Sequence, residues 1–156
     1  MSYLITTDLL DTVSAEAAAS PRLRRNRNFH AADDAACHRL LNAVEPGTYV
    51  APHRHVDPAK DETMLVLRGR MGVVLFDEDG KVVSREVIGA GAAACGVNIP
   101  HGTYHSLVSL ETGTVFFEAK AGPYVALSAA EKAPWAPAEG EPGAAEYLAG
   151  LAALFD

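Results

Sequence analysis

Basic residues, cysteines and long apolar runs are all scarce in this chain, and each scarcity excludes something. The 13 Lys and Arg stand against 20 Asp and Glu, a net charge of -7, so the cation excess that a nucleic-acid surface needs is missing. No apolar stretch approaches the ~20 residues that cross a bilayer. The opening MSYLITTDLLDTV lacks the positively charged start and small-residue cleavage site of a secretory signal. The expectation is a soluble, cytoplasmic protein with no nucleic-acid or membrane partner. The two cysteines, Cys37 and Cys95, have no CxxC spacing and read as reduced thiols used in packing.

What the chain does have is enough apolar residue, 49% of 156, for one buried core. Residues 7–19, TDLLDTVSAEAAA, place Leu9, Leu10, Val13 and Ala17 at helical spacing, with Thr7 as the expected N-cap and Pro21 as a stop. From about residue 39 to 120 the texture changes. Short runs rich in Val, Leu, Ile, Thr and Phe are separated by the turn signals EPG, DEDG, GAG, PHG and ETG, which is all-β patterning. Strands so spaced, with little helix between them, close into a sandwich or small antiparallel barrel. Beyond Gly122, APWAPAEGEPG reads as an extended arm lying over that barrel, with Trp135 as a packing anchor. The last stretch, AAEYLAGLAALF, reads as a second helix on which Tyr147, Leu148, Leu151, Leu154 and Phe155 form one apolar stripe. That stripe needs a cover, either the barrel or a second subunit, and a homodimer is expected. The expected organisation is a single domain: helix and Arg-rich segment 1–38, barrel about 39–120, arm and helix 121–156.

The residues that carry chemistry begin with His53 and His55 in GTYVAPHRHVDPAKDETMLVLRG. On a strand, residues i and i+2 share a face, so both imidazoles can converge on one ion. Glu62 opens the next apolar run, and His105 comes from a third segment, IPHGTYHSLV. Three imidazoles and one carboxylate suit one divalent ion, Zn, Fe, Mn, Ni or Co, with coordination positions left for water or substrate. Asp57 and Asp61 flank Glu62 and are alternative carboxylates for the same place. Glu118 and Lys120 alternate on the last run of the β texture and would line the barrel mouth.

Gly47, His53, His55, Glu62 and Gly69 together resemble the first motif of the cupins, and Pro100, Gly102 and His105 resemble the second. The resemblance implies an all-β fold, a single cupin jelly roll with short terminal helices, and His53, His55, Glu62 and His105 as metal ligands. Six residues separate His55 from Glu62, a longer spacer than cupins usually have, and Ser109 stands where the second motif often ends in Asn. PHRHVDPAKDETMLVLRG, GTVFFEAKAGPYVALS and APWAPAEG further resemble the WbuC family of bacterial cupin metalloproteins, over about residues 21–140. That resemblance implies a setting among surface-polysaccharide (O-antigen) functions, with no established reaction.

A second constellation is PRLRRNRNFH, with Arg22, Arg24, Arg25 and Arg27 followed by Asn28 and His30. Alternate Arg residues on an extended segment share a face, and the guanidinium fork suits phosphate or carboxylate. Arg22, Arg25, Arg27, Asn28 and His30, with Lys60 from the loop before Glu62, are the candidate substrate-binding residues. The functional expectation is a metal-dependent enzyme, an isomerase or epimerase rather than a dioxygenase, acting on a small anionic sugar derivative. A sugar phosphate, nucleotide sugar or carboxylate would fit. The competing expectation is a non-catalytic sugar- or anion-binding cupin whose metal is structural.

Overall fold

The computed structural model describes residues 4–156. The first three residues, which begin the opening stretch read above, lie outside the described residues. Helix α1 (Thr7–Ala19) is capped by Thr6, not Thr7: Thr6 has extended backbone, and its Oγ1 accepts a hydrogen bond from Leu9 N at 3.3 Å. Both threonines satisfy the sequence rule, but the cap must be the residue whose backbone has not yet turned helical.

Eight strands follow among the described residues: β1 (Arg24–Asn28), β2 (Cys37–Val44), β3 (Glu62–Arg68), β4 (Arg70–Phe76), β5 (Val82–Gly89), β6 (Gly96–Ile99), β7 (Tyr104–Ser109) and β8 (Thr114–Ala121). The chain ends in α2 (Ala144–Ala152) and a 3-10 turn at Ala153–Phe155. The strands form two antiparallel sheets, ordered β1-β2-β8-β3-β6 and β5-β4-β7, and so make a jelly-roll sandwich. The β region starts earlier than the sequence texture indicated, because the Arg-rich segment is itself β1, paired along β2 from Arg24 opposite Val44 to Asn28 opposite Leu40. Five polar residues in a row carry no apolar alternation, so nothing in their pattern marks a strand.

Period-2 alternation decides what faces the interior. On β3, Glu62, Met64 and Val66 are buried while Thr63, Leu65 and Leu67 are exposed. Met64 and Val66 join Val44, Met71, Val73, Ile88, Leu107 and Phe116, drawn from both sheets, in the central core. The outer face of the larger sheet is covered by α1, where Leu10, Val13 and Ala17 pack on Leu41, Ala43 and Val115. Gly69, at φ +76, turns β3 into β4; a Cβ there would lie 2.9 Å from Thr114 Cα, so the turn needs the absence of a side chain.

The outer face of the smaller sheet is covered by α2 and the arm. Leu151 is buried with Val74, Phe76, Tyr104 and Val108, and Tyr147, Leu154 and Phe155 pack against the same group. Trp135 sits between Phe76 and Tyr104, at ring distances of 4.9 and 5.7 Å, and its Nε1 donates to Glu78 O. Tyr147, Leu151, Leu154 and Phe155 of the apolar stripe are therefore covered by the chain's own barrel, so the stripe does not need a second subunit to cover these four side chains. Among the described residues no helix is long and apolar enough to cross a membrane.

Candidate metal centre

Three of the four candidate ligands reach the interior for simple geometric reasons. Glu62 begins β3 on its buried face, only 2% exposed. His105 shares the inward parity of Leu107 on β7 and is 1% exposed. His53 lies in an irregular extended segment, not in a strand, but pairs with β7 at one rung: His53 N donates to His105 O at 3.1 Å and His105 N to His53 O at 2.9 Å. A second tie, from Gly102 N to His55 O at 2.6 Å, anchors the other end of the HRH run.

One ligand atom each of His53, His55 and Glu62 lie within 4.8 Å of one another. His105 adjoins them, with its ring 4.5 Å from that of His53 and its Nε2 3.1 Å from Glu62 Oε2. His55 Nε2 is 3.0 Å from Glu62 Oε1. The hydrogen bonds behind the rings fix their tautomers. His53 Nδ1 is 3.0 Å from Ala51 O and His105 Nδ1 is 2.9 Å from Thr103 O, and since a carbonyl only accepts, both Nδ1 atoms carry the proton. Nε2 of each neutral ring is then a lone pair aimed at the cluster. His55 Nδ1 faces Glu131 Oε1 across 3.8 Å, and that carboxylate is held by Ser128 N and Oγ.

The cluster is incomplete without a cation. Glu62 Oε2 and His105 Nε2 are both buried without a hydrogen-bond partner, although only 3.1 Å apart. Two acceptors that face each other so closely repel, and a positive charge between them removes the conflict. Beyond Glu62 the polar chain continues inward. Lys120 Nζ donates to Glu62 Oε1 at 2.9 Å and lies 2.7 Å from Glu118 Oε1, and Asn42 Nδ2 donates to Glu118 Oε2 at 2.7 Å.

The spacer that exceeds the usual cupin length forms a turn, VDPAKD, in which Lys60 N donates to Asp57 O and Ala59 N to Asp57 Oδ1. Asp61 points outward, where its carboxylate accepts from His101 N and adjoins His101 Nδ1 at 2.9 and 2.8 Å. Neither alternative aspartate joins the cluster, because Asp57 serves its own turn and Asp61 has the exposed parity beside Glu62.

The ionisation of the site follows from its burial. Burial, reinforced by the neighbouring His105, pushes His53 down to about 3 from an ordinary 6.5. Burial also opposes ionisation of Glu62, but the contact from His55 and the ammonium of Lys120 outweigh that and hold the carboxyl well below its usual range. Lys120 is likewise opposed by burial, yet Glu118 and Glu62 raise it above an ordinary lysine. As pH falls below 6.5 the unfolded chain takes up a proton that folded His53 refuses, so stability drops by about 1.4 kcal/mol per pH unit from this group. The depressed Glu62 acts with the same sign, since its contribution is present above pH 4.5 and is lost in more acidic solution. Metal-free protein is expected to be about 2 kcal/mol less stable at pH 5.0 than at pH 7.5 by urea unfolding, with a flatter profile for His53→Asn.

A cavity of about 320 Å³ opens onto His53 and His55. A deeper chamber of about 200 Å³ reaches Glu62, His105 and Lys120. Lys60 lines the outer cavity, as do Arg24, Asn26 and His38. The other candidate substrate residues are not brought there, and for Arg25 and Arg27 strand parity is the reason. Arg24 and Asn26 are register partners of the inward-facing Val44 and Asn42, whereas Arg25 and Arg27 pair with Ala43 and Leu41, which face α1. Arg25 Nε accordingly donates to Glu16 on α1 at 3.2 Å, and Arg27 and Asn28 border a separate depression with Leu4, Leu9 and Phe29. Arg22 makes a two-pronged contact to Glu139, at 2.7 and 2.6 Å, and Arg24 adds a third bond to the same carboxylate. Glu139 is held down to about 2, chiefly by the Arg22 bonds. His30 is buried, stacked on His38 at 3.9 Å.

His38 had no partner spacing in the sequence, and the structure makes it a wall of the cavity. The signal was available in retrospect: His38, Leu40, Asn42 and Val44 alternate on β2, and His38 pairs with Lys120 across to β8.

A jelly roll with a His-His-Glu cluster at its mouth defines the cupin class, and solved structures agree on the fold. KdgF from Halomonas sp. is 18% identical, with 65% of this chain and 82% of that one covered at a TM-score of 0.51. A conserved protein of unknown function from Streptococcus pyogenes, SPY1581, is 11% identical, with 80% and 93% covered at 0.52. The chain is a cupin-fold protein. It belongs to the family described as a domain of unknown function, DUF6016, whose model matches residues 5–88. No curated protein matches it.

Proposed function

We propose that the chain is a metal-dependent cupin enzyme that isomerises or epimerises a small anionic sugar derivative. The observation that carries this reading is the pair of opposed, unpartnered acceptors, Glu62 Oε2 and His105 Nε2, in the inner chamber, beside an outer cavity whose wall carries Arg24, Lys60 and Lys120. His53, His55, Glu62 and His105 would hold the ion. A divalent ion there supplies Lewis acidity toward a carbonyl or hydroxyl oxygen of a bound ligand. Carbonyls behind His53 and His105 orient those rings, Glu131 faces the back of His55, and Lys120 keeps Glu62 ionised. Proton transfer, the chemistry of isomerases and epimerases, has a group available in His38 on the cavity wall. The finer kinship with the WbuC family, and with it a role in surface-polysaccharide metabolism, is supported by PHRHVDPAKDETMLVLRG and APWAPAEG.

The test has two stages. Metal content is measured on protein purified without added metal or a His tag, and one ion per chain is expected. Sugar phosphates, nucleotide sugars and uronates are then screened by thermal shift, and each hit is incubated in D2O. Incorporation of deuterium at one carbon supports the isomerase reading. Oxygen consumption would replace it with dioxygenase chemistry, and a thermal shift without turnover would make the protein a binder.

A further inference from the structure

The outer cavity is more cationic than a metal site requires. Its wall carries Arg24, Lys60 and Lys120 and, among the described residues, no acidic side chain, on a chain whose net charge is -7. Clefts lined by one sign of charge concentrate counter-ions. Two of the three cations are already compensated. Arg24 bonds to Glu139, and Lys120 sits between Glu62 and Glu118. Lys60 differs: its Nζ donates to the Pro123 carbonyl at 2.9 Å, and no carboxylate pairs with it among the described residues.

His38 stands in the same wall. Its Nε2 is 3.1 Å from Asp33 O and therefore carries a proton, its ring is stacked on His30, and its Nδ1 makes no hydrogen bond among the described residues. The strap that leaves β8 passes the Ala35 carbonyl and this ring at Gly122, where a Cβ would lie 1.8 Å from Ala35 O and 2.8 Å from two ring atoms. The missing side chain lets the strap reach Pro123 and Lys60 without displacing His38.

We propose that the ligand of this cavity carries a second oxyanion, remote from its metal-facing end, that Lys60 holds it, and that the His38 Nδ1 lone pair accepts from a hydroxyl of the same ligand. The ligand class is thereby narrowed to molecules with two separated acidic or oxygen-donor groups, one for the ion and one for the wall. A uronate with a ring oxygen at the metal, or an acid bearing a phosphate, has that form. Lys60 exchanges its carbonyl partner for a charged acceptor, which is the stronger bond. His38, whose Nε2 proton is committed to Asp33 O, offers Nδ1 as an acceptor to a ligand hydroxyl. This subsite rests on the metal reading above for the first of the two anchors.

Calorimetric titration of the full chain loaded with Co(II) tests it, using succinate, glutarate, adipate and 3-phosphonopropionate against acetate. At least one of the longer probes is expected to bind ten-fold or more tightly than acetate, with the dicarboxylate and phosphonate arms distinguishing carboxylate from phosphate at the wall. Lys60→Met should bring that probe back about ten-fold, whereas His38→Gln should leave the binding of the dicarboxylates, which offer no hydroxyl to Nδ1, unchanged. Arg25→Ala and Arg27→Ala, on the α1 side of β1, should leave it unchanged. Cobalt content, followed by its visible absorption, should match wild type in all four variants. Probes no tighter than acetate, or full affinity in a cobalt-loaded Lys60→Met, would overturn the subsite. If wild type takes up no cobalt, the metal reading fails by itself. The subsite is then read in metal-free protein, where Lys60→Met must still weaken 3-phosphonopropionate binding.

Discussion

Replacing His53, His55 or His105 with Ala is expected to lower the affinity for a divalent ion at least ~100-fold, since loss of outer partners of a ligand alone costs ~10–100-fold. Each imidazole is placed by a different constraint: His53 by its rung with β7, His55 by the tie to Gly102, and His105 by the inward parity of its strand. Losing one leaves the others in place, so the effect should appear in metal content after dialysis and not in folding. Glu62→Gln should lose metal in the same way, because a neutral amide cannot offset the ion's charge. Asp61→Asn should retain it, since that carboxylate serves His101. Near-stoichiometric metal in the three His variants, or retention in Glu62→Gln with loss in Asp61→Asn, would displace the assignment.

Lys120→Met is expected to destabilise the metal-free protein by about 2 to 3 kcal/mol. Removing one partner of a buried ion pair typically costs ~3–5 kcal/mol, and the lower figure applies because 24% of the Lys120 side chain is still in water. The substitution leaves Glu62 and Glu118 as buried carboxylates without their shared cation, with Asn42 as the one remaining donor to Glu118. In a chain of this size the melting temperature should fall by roughly 4 to 12 °C. Metal should reverse part of the loss, because an ion at Glu62 supplies the positive charge that Lys120 no longer does. The melting temperatures of metal-free and metal-loaded wild type and variant make the check. An equal loss in both forms would show that Glu62 is not at the ion.

The ligand cluster was more legible in the sequence than the cavity around it. His53 and His55 are two residues apart, and Pro100, Gly102 and His105 lie within six, so local spacing carries them. The choice of Glu62 over Asp61 was not local. It depends on where β3 starts, and a shift of one residue sends every side chain to the opposite face. The Arg-rich segment shows the same effect from the other side. Its charge was plain, but a run of alternating cations has two faces, and pairing with β2 turned Arg24 and Asn26 inward and Arg25 and Arg27 toward α1. His38 has no local partner in the sequence, because Lys120 is far away in the chain and adjacent only across a strand pair.

The terminal helix marks the same boundary. Its stripe of Leu148, Leu151, Leu154 and Phe155 was readable, and so was its need for a cover, but not what would cover it. Phe155 packs against the bare backbone of β4 at Gly72, a contact between residues far apart in the chain that only the closed sandwich creates.

By itself the sequence determined the class of the fold, the two terminal helices and the residue types able to hold an ion, because these follow from periodicity, turn chemistry and short spacing. The tertiary structure decided which carboxylate faces the histidines, which arginines are tied to Glu139 and Glu16, and which lysine is left without an acid beside the cavity. Those outcomes depend on strand register and on pairings between distant segments, and neither is written in any local stretch of the chain.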